Sequence, residues 1–227
     1  NWKGSGITDT NTDGTITSQV SANKEAGFSI VKYTGNNVAG SSFGHGLSSA
    51  PEIVIIKQLD ITENWVVGSD FLNGGTSPWD YVINLNSSNG ESNQSWPWND
   101  TAPSSSVITI GNGGGINTNG GTFITYAFHS IAGHSRIGSY IGTGGSLTVY
   151  VGFEPSFVMI KRSDASGNWV IVDNKRGNGD NRLYANLSNA EDAGQGESFT
   201  STGFSPRNSS NSDTNISGGT YMYLAIA

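Results

Sequence analysis

The chain has 227 residues, enough for one large β domain or two of about 100 residues each. Its 11 Lys and Arg stand against 18 Asp and Glu, a net charge of -7 with no basic run, which excludes the neutralisation of a phosphate backbone and so nucleic-acid binding. Apolar runs fall far short of the roughly 18 residues a membrane span requires, which excludes insertion by a helix.

Only 13% of residues are charged, about half the ordinary share, so Asn, Ser, Thr and Gly fill the surface, as suits sugar contacts or dense subunit packing. The 32 Gly and 6 Pro indicate a turn-rich folded protein. Without cysteine, disulfides contribute nothing and the redox compartment cannot be inferred. The start lacks an initiating Met and a signal-peptide core, and the end falls inside a strand-like run, the pattern of a fragment of a longer or processed chain.

Residues 1–26 are polar, with Thr15, Ile16, Thr17 and Val20 as their β-like part, and predict an entry arm of at most one strand, tethered by Ile16. Within the arm, Asp9, Asn11 and Asp13, then Gly14 and Ile16, match the first half of a calcium loop, with oxygen ligands at alternate positions and Gly at the sharp turn. Val20 stands where such a loop needs a bidentate Glu, and no helix flanks the segment. An Asn/Asp/Gly turn before a strand is therefore the preferred reading, with calcium the one cofactor candidate and otherwise none.

The next strand alternates, with Phe28, Ile30 and Lys32 on one face and Ser29, Val31 and Tyr33 on the other. After Pro51, the unalternating run from Ile53 to Ile56 predicts a strand buried on both faces. Lys57, a polar turn, and Asn64, Trp65, Val66 and Val67 complete a hairpin. The pattern returns as Pro155, the run from Phe157 to Ile160, Lys161, a polar turn, and Asn168 to Ile171, with both landmarks displaced by the same number of residues. Lys57 and Lys161 end equivalent strands and are expected to snorkel from the core rim.

A strand at 81–85 lies within a long polar stretch, 73–106, that holds Trp79, Trp96 and Trp98, half of the 6 tryptophans. With Asn99 these are the candidate ligand-binding residues, since indole faces rimmed by amides and hydroxyls can stack on sugar rings. The preferred alternative is that Trp96, Pro97 and Trp98 fold back to cap the sandwich edge. Strands at 107–110 and 121–128 close the first copy. A second restarts near Ser139 and closes at 218–225.

Short strands between Gly/Asn turns predict an all-β fold, an antiparallel β-sandwich of jelly-roll or lectin-like type built from two tandem homologous repeats. The divisions are a 1–26 arm, repeat one at 27–131 and repeat two at 132–227, either as two small sandwiches or as one large pseudo-symmetric one.

Catalytic signals are weak. Residues 40–44 satisfy G-x-S-x-G beside His45, but a nucleophile elbow needs a strand-turn-helix in a parallel sheet, and no βαβ period is present. His45, His129 and His134 lack metal-ligand spacing. Residues 163–169 resemble the aspartate turn of sialidase propellers, with the Asp one position early, and are read as a hairpin turn. No catalytic residue is assigned and the chain is not expected to be an enzyme.

Several segments together carry a family likeness: 26–35, Gly44 to Leu47 with Pro51, 98–103, 126–133, 152–164, 187–192, and Gly203 with Phe204. They resemble repeat domains of tail-fibre and other virion surface proteins of marine bacteriophages, cyanophages above all, over nearly the whole chain. Members of that group often carry Cys where this chain has Tyr126, Ala127 and Phe128, a difference of packing. The resemblance implies a non-enzymatic virion structural module at the particle surface, in a tail fibre, knob or capsid appendage, mediating host attachment. Its implied partners are other virion proteins, further copies of itself in a homo-oligomer, and a host-surface glycan. The alternative is a carbohydrate-binding module of a secreted glycan-active protein.

Overall fold

A computed structural model describes residues 3–207, 210–211 and 213–227. The chain forms two compact units, one comprising the chain up to Asn84 with Ser92–His129, the other Leu85–Glu91 with Ser130–Ala227.

The first unit contains β1 (Asp9–Asn11), β2 (Ser18–Asn23), β3 (Phe28–Thr34), β4 (Ser41–Gly44), β5 (Ile53–Gln58), β6 (Trp65–Ser69), β7 (Tyr81–Asn84), β8 (Ser92–Asn93), the one-turn helix α1 (Ser95–Trp98), β9 (Val107–Ile110), the one-turn helix α2 (Gly114–Asn117) and β10 (Thr122–Phe128). An antiparallel sheet runs β1-β2-β3-β10-β5-β6-β7-β8, and β4 pairs with β9. Alternation aims Val31 and Tyr33, Phe123 and Ala127, and Val54 and Ile56 of the large sheet at Phe43, Ile108 and Ile110 of the small one, making the sandwich core. Ile53, Val54, Ile55 and Ile56 are all buried, as their unalternating sequence predicts.

The polar N-terminal segment is part of the sheet, not an entry arm. β1 and β2 form a hairpin, and β2 pairs with β3 along its whole length, so the segment is the sheet's edge rather than an arm with at most one strand. A strand next to the sheet's edge, with one face to solvent, needs one apolar face only. Val20 and Ala22 supply it between the polar Gln19, Ser21 and Asn23. Ile16 does tether the segment, bridging to Phe43 and joining the core.

The second unit contains β11 (Ser135–Ile141), β12 (Val149–Tyr150), β13 (Phe157–Arg162), β14 (Trp169–Asp173), β15 (Leu183–Tyr184), β16 (Ser198–Thr200), β17 (Gly203–Ser205) and β18 (Thr220–Ile226). One sheet runs β11-β18-β13-β14-β15, a smaller one β12-β17-β16, and Val158, Ile160, Phe204 and Tyr223 are among the side chains of their shared core.

The strand order β3-β10-β5-β6-β7 of the first unit is also the order β11-β18-β13-β14-β15 of the second, and the β4–β9 pair corresponds to β12–β17. Fine details match as well. Asn117 and Asn215 are fully buried, and each accepts a backbone N–H through Oδ1, from Asn36 at 2.8 Å and from Thr143 at 2.9 Å. Tyr33 donates to the Ile116 carbonyl at 2.5 Å as Tyr140 does to that of Thr214 at 2.7 Å.

Candidate functional site

The tryptophans expected to face a ligand are largely core. Trp79 is 2% exposed and Trp98 is 0% exposed. Trp79 donates its indole N–H to Asp70 Oδ1 at 2.7 Å. Burial pushes the Asp70 carboxyl up, the Trp79 hydrogen bond pulls it down, and Glu52 adds to the rise. Trp96 is half-buried against the same core, and a β-carbon on Gly113 would lie 1.9 Å from its ring, so the 111–115 turn covers that indole closely. Asn99 caps α1 in the left-handed conformation, φ 52°, its N–H bonded to the Ser95 carbonyl. Trp79 and Trp98, with Trp96 packed against them, thus cap the core rather than face outward as a sugar platform, the four-residue helix turning Trp96 and Trp98 inward, while Asn99 ends that helix with its side chain exposed.

Of Asp9, Asn11 and Asp13, the last two are bonded to each other. Asn11 Oδ1 accepts the Asp13 N–H at 2.9 Å, and Asn11 Nδ2 donates to Asp13 Oδ2 at 3.0 Å, an Asx turn. Among the described residues no three His, Cys, Asp or Glu side chains gather as a metal site.

Two of these residues do meet at a surface feature. Asp9 and Asn11, with Ser5, Thr10, Val20, Ala22, Lys24 and Gly46, line an open cleft of about 230 Å³. Val20 is buried, Ala22 and Asn11 are half-buried, and Ser5, Asp9, Thr10 and Lys24 are exposed. Gly46 adopts φ 70°, and a β-carbon there would lie 2.7 Å from Val20, so only Gly fits this wall. A carboxylate, an ammonium, hydroxyls and an amide beside two apolar side chains offer donors and acceptors to a small polyhydroxylated ligand. Sequence reasoning found Asp9 and Asn11, but for a different chemistry.

The remaining reactive side chains are held by the fold. Ser42 lies in β4, accepting the Thr15 N–H on its hydroxyl and the Ile16 N–H on its carbonyl, which is strand-edge geometry and not a nucleophile elbow. Buried His45 accepts the Leu47 N–H on Nδ1 at 3.1 Å and places Nε2 3.2 Å from the Ser104 carbonyl. Burial lowers its pKa, against the Ser104 hydrogen bond.

Lys57 lies at the rim and donates to the Glu63 carbonyl at 2.8 Å. Lys161 departs from the expected snorkelling, being 0% exposed. Its ammonium donates to the carbonyls of Gly167 at 2.7 Å and Ser88 at 3.2 Å. Burial brings its pKa from 10.5 to about 8, with Asp213 opposing.

A buried ion pair was not legible in the sequence. Arg182 meets Glu197 in a two-pronged contact, with Nε to Oε2 at 2.8 Å, and Thr214 donates to Glu197 Oε1 at 3.0 Å. Burial works against the Arg182 charge, yet Glu197, with Tyr184 adding to it, holds the guanidinium above its usual range. The two residues lie 15 positions apart, one before β15 and one before β16, so no local spacing marks the pair.

A family model described as a domain of unknown function, DUF7483, matches residues 1–227. The chain belongs to the DUF7483 family. No curated protein matches it. The DUF7483 match spans both compact units, so the pair of sandwiches, and not either one alone, is what the family model describes.

Proposed function

We propose that this DUF7483 chain is a non-catalytic structural module of a bacteriophage virion surface, in a tail fibre, knob or capsid appendage, that mediates attachment to a host surface glycan. Two copies of one sandwich make up the module, and their common strand order supports that duplication. The observation that carries the reading is where the versatile side chains go. Trp79, Trp98, His45, Lys161, Arg182 and Glu197 are committed to packing and internal hydrogen bonds, while Asn, Ser, Thr and Gly loops of low charge face outward. Such a surface suits display and weak multivalent contact. The resemblance of 26–35, 126–133 and 152–164 to virion surface repeats supports the same setting.

One specific observation favours the carbohydrate-binding reading at the level of a site: the cleft lined by Asp9, Thr10, Asn11, Lys24 and Gly46. The test is binding of labelled protein to candidate bacterial cells and their purified surface polysaccharide. Asp9→Ala with Lys24→Ala should abolish binding while leaving the thermal melt intact. Cleavage of the polysaccharide, lost on changing one carboxylate, would replace both readings with an enzyme.

A further inference from the structure

Residues 85–91 form a strap within the second unit. The strap docks on the 163–168 turn between β13 and β14. The Glu91 N–H donates to the Ser163 carbonyl at 2.7 Å, and the Gly167 N–H donates to the Ser88 carbonyl at 2.9 Å, which also accepts from Lys161. The approach is close. A β-carbon on Gly90 would lie 2.9 Å from the Ser163 carbonyl oxygen.

The first unit presents the same receiving turn at 59–64, between β5 and β6. The Leu59 N–H bonds the Thr122 carbonyl at 2.8 Å as the Ser163 N–H bonds that of Thr220 at 2.9 Å. Asp60 accepts the Thr122 N–H, as Asp164 accepts that of Thr220. Lys57 donates to the Glu63 carbonyl as Lys161 does to that of Gly167. The second contact of the lysine differs. Lys161 reaches the strap carbonyl of Ser88, whereas Lys57 turns to its own Ile61 carbonyl at a long 3.5 Å. This otherwise polar turn exposes two apolar side chains, Leu59 at 54% and Ile61 at 51%.

The strap sequence also recurs. Asn86 and then Ser88, Asn89, Gly90 and Glu91 have counterparts in Asn186 and then Ser188, Asn189, Ala190 and Glu191, which follow β15 as the strap follows β7. Residues 187–191 are exposed, Leu187 at 41%. The chain therefore carries one receiving turn and one strap motif that are both at its surface.

We propose that residues 187–191 of one copy dock on the 59–64 turn of a second copy, covering Leu59 and Ile61 and giving Lys57 a strap carbonyl. Donor and acceptor are different surfaces, so the contact is heterologous and propagates head to tail into a ring or filament. At the 163–168 turn a β-carbon on Gly90 would meet the Ser163 carbonyl oxygen at 2.9 Å, so Ala190 docks on the 59–64 turn only with a shift of the facing backbone, a cost that Ala190→Gly removes. The proposal gives the expected homo-oligomer a definite contact and is independent of the attachment role. Assembly without cell binding would retain it and remove only that role.

Sedimentation of the full chain over a concentration series tests it. The wild-type mass should rise with concentration, Leu59→Asp with Ile61→Asp should weaken association about tenfold or more, and Ala190→Gly should strengthen it. Because the chain has no cysteine, Leu59→Cys with Asn189→Cys offers a second measurement: mild oxidation should give a ladder of covalent multimers. A monomer at every concentration, or assembly indifferent to the Asp variants, overturns the proposal. So does a ladder that forms with Asn89→Cys in place of Asn189→Cys, which would mean exchange of the 85–91 strap between copies.

Discussion

Trp98 stands edge-on to Trp79, ring centroids 5.1 Å apart and planes at 90°, and both indoles close on Gly68 of β6, where a β-carbon would lie 2.5 Å from Trp79 and 2.6 Å from Trp98. The edge-on pair packs into the first core, and the missing side chain of Gly68 makes the room.

Truncating Trp98 to Ala should therefore cost about 3–5 kcal/mol of stability, and Gly68→Ala about 1–3 kcal/mol through overpacking. Urea unfolding followed by tryptophan fluorescence measures both. Unchanged stability with lost glycan binding would restore the indoles as a sugar platform.

Breaking the pair of Arg182 and Glu197 should be costly because it strands a buried charge. Glu197→Gln is expected to lower stability by about 3–5 kcal/mol, whereas Arg182→Met with Glu197→Leu should come close to wild type. A double variant as damaged as the single one would show that the charges themselves are needed, not merely their pairing.

Two buried bases set opposite limbs of a pH profile. His45 has a lowered folded pKa, so on acidification the unfolded imidazole takes its proton first. The stability that neutral His45 contributes is complete above about pH 6.5 and declines as pH falls below it. Lys161 is also lowered, to about 8 from 10.5, so the folded ammonium loses its proton first as pH rises, and stability should climb between those two values. Thermal melts across pH should show both slopes. His45→Gln should flatten the acid limb and Lys161→Met the alkaline one, and a limb that survives its variant has another origin.

For the Asp9, Asn11 and Asp13 turn, the internal bonds between Asn11 and Asp13 predict a melting temperature indifferent to chelator and to added calcium. A rise of several degrees with calcium would reinstate a metal site and require the Asx turn to open.

The hairpins at 53–67 and 157–171 were legible because a strand buried on both faces needs a contiguous apolar run, and so were the closing strands β10 and β18. The β1–β2 edge resembles an arm in sequence because Ser, Gln and Asn outweigh its two inward residues. β16 and β17, three residues each, carry too few positions for a period to appear. Of the candidate site residues, Asp9 and Asn11 reach a cleft, and Trp79 and Trp98 vanish into the core. An indole in a polar loop looks the same in sequence whether it faces outward or is folded under.

By itself the amino-acid order determined the all-β class, the two like hairpins and their lysines, since these depend on which neighbours along the chain are apolar. Only the tertiary structure decided what covers each polar group. Ser88 and Lys161 meet across 73 positions of sequence, and Arg182 and Glu197 across 15. Burial and hydrogen bonding are set by segments brought together in space, and no local pattern encodes them.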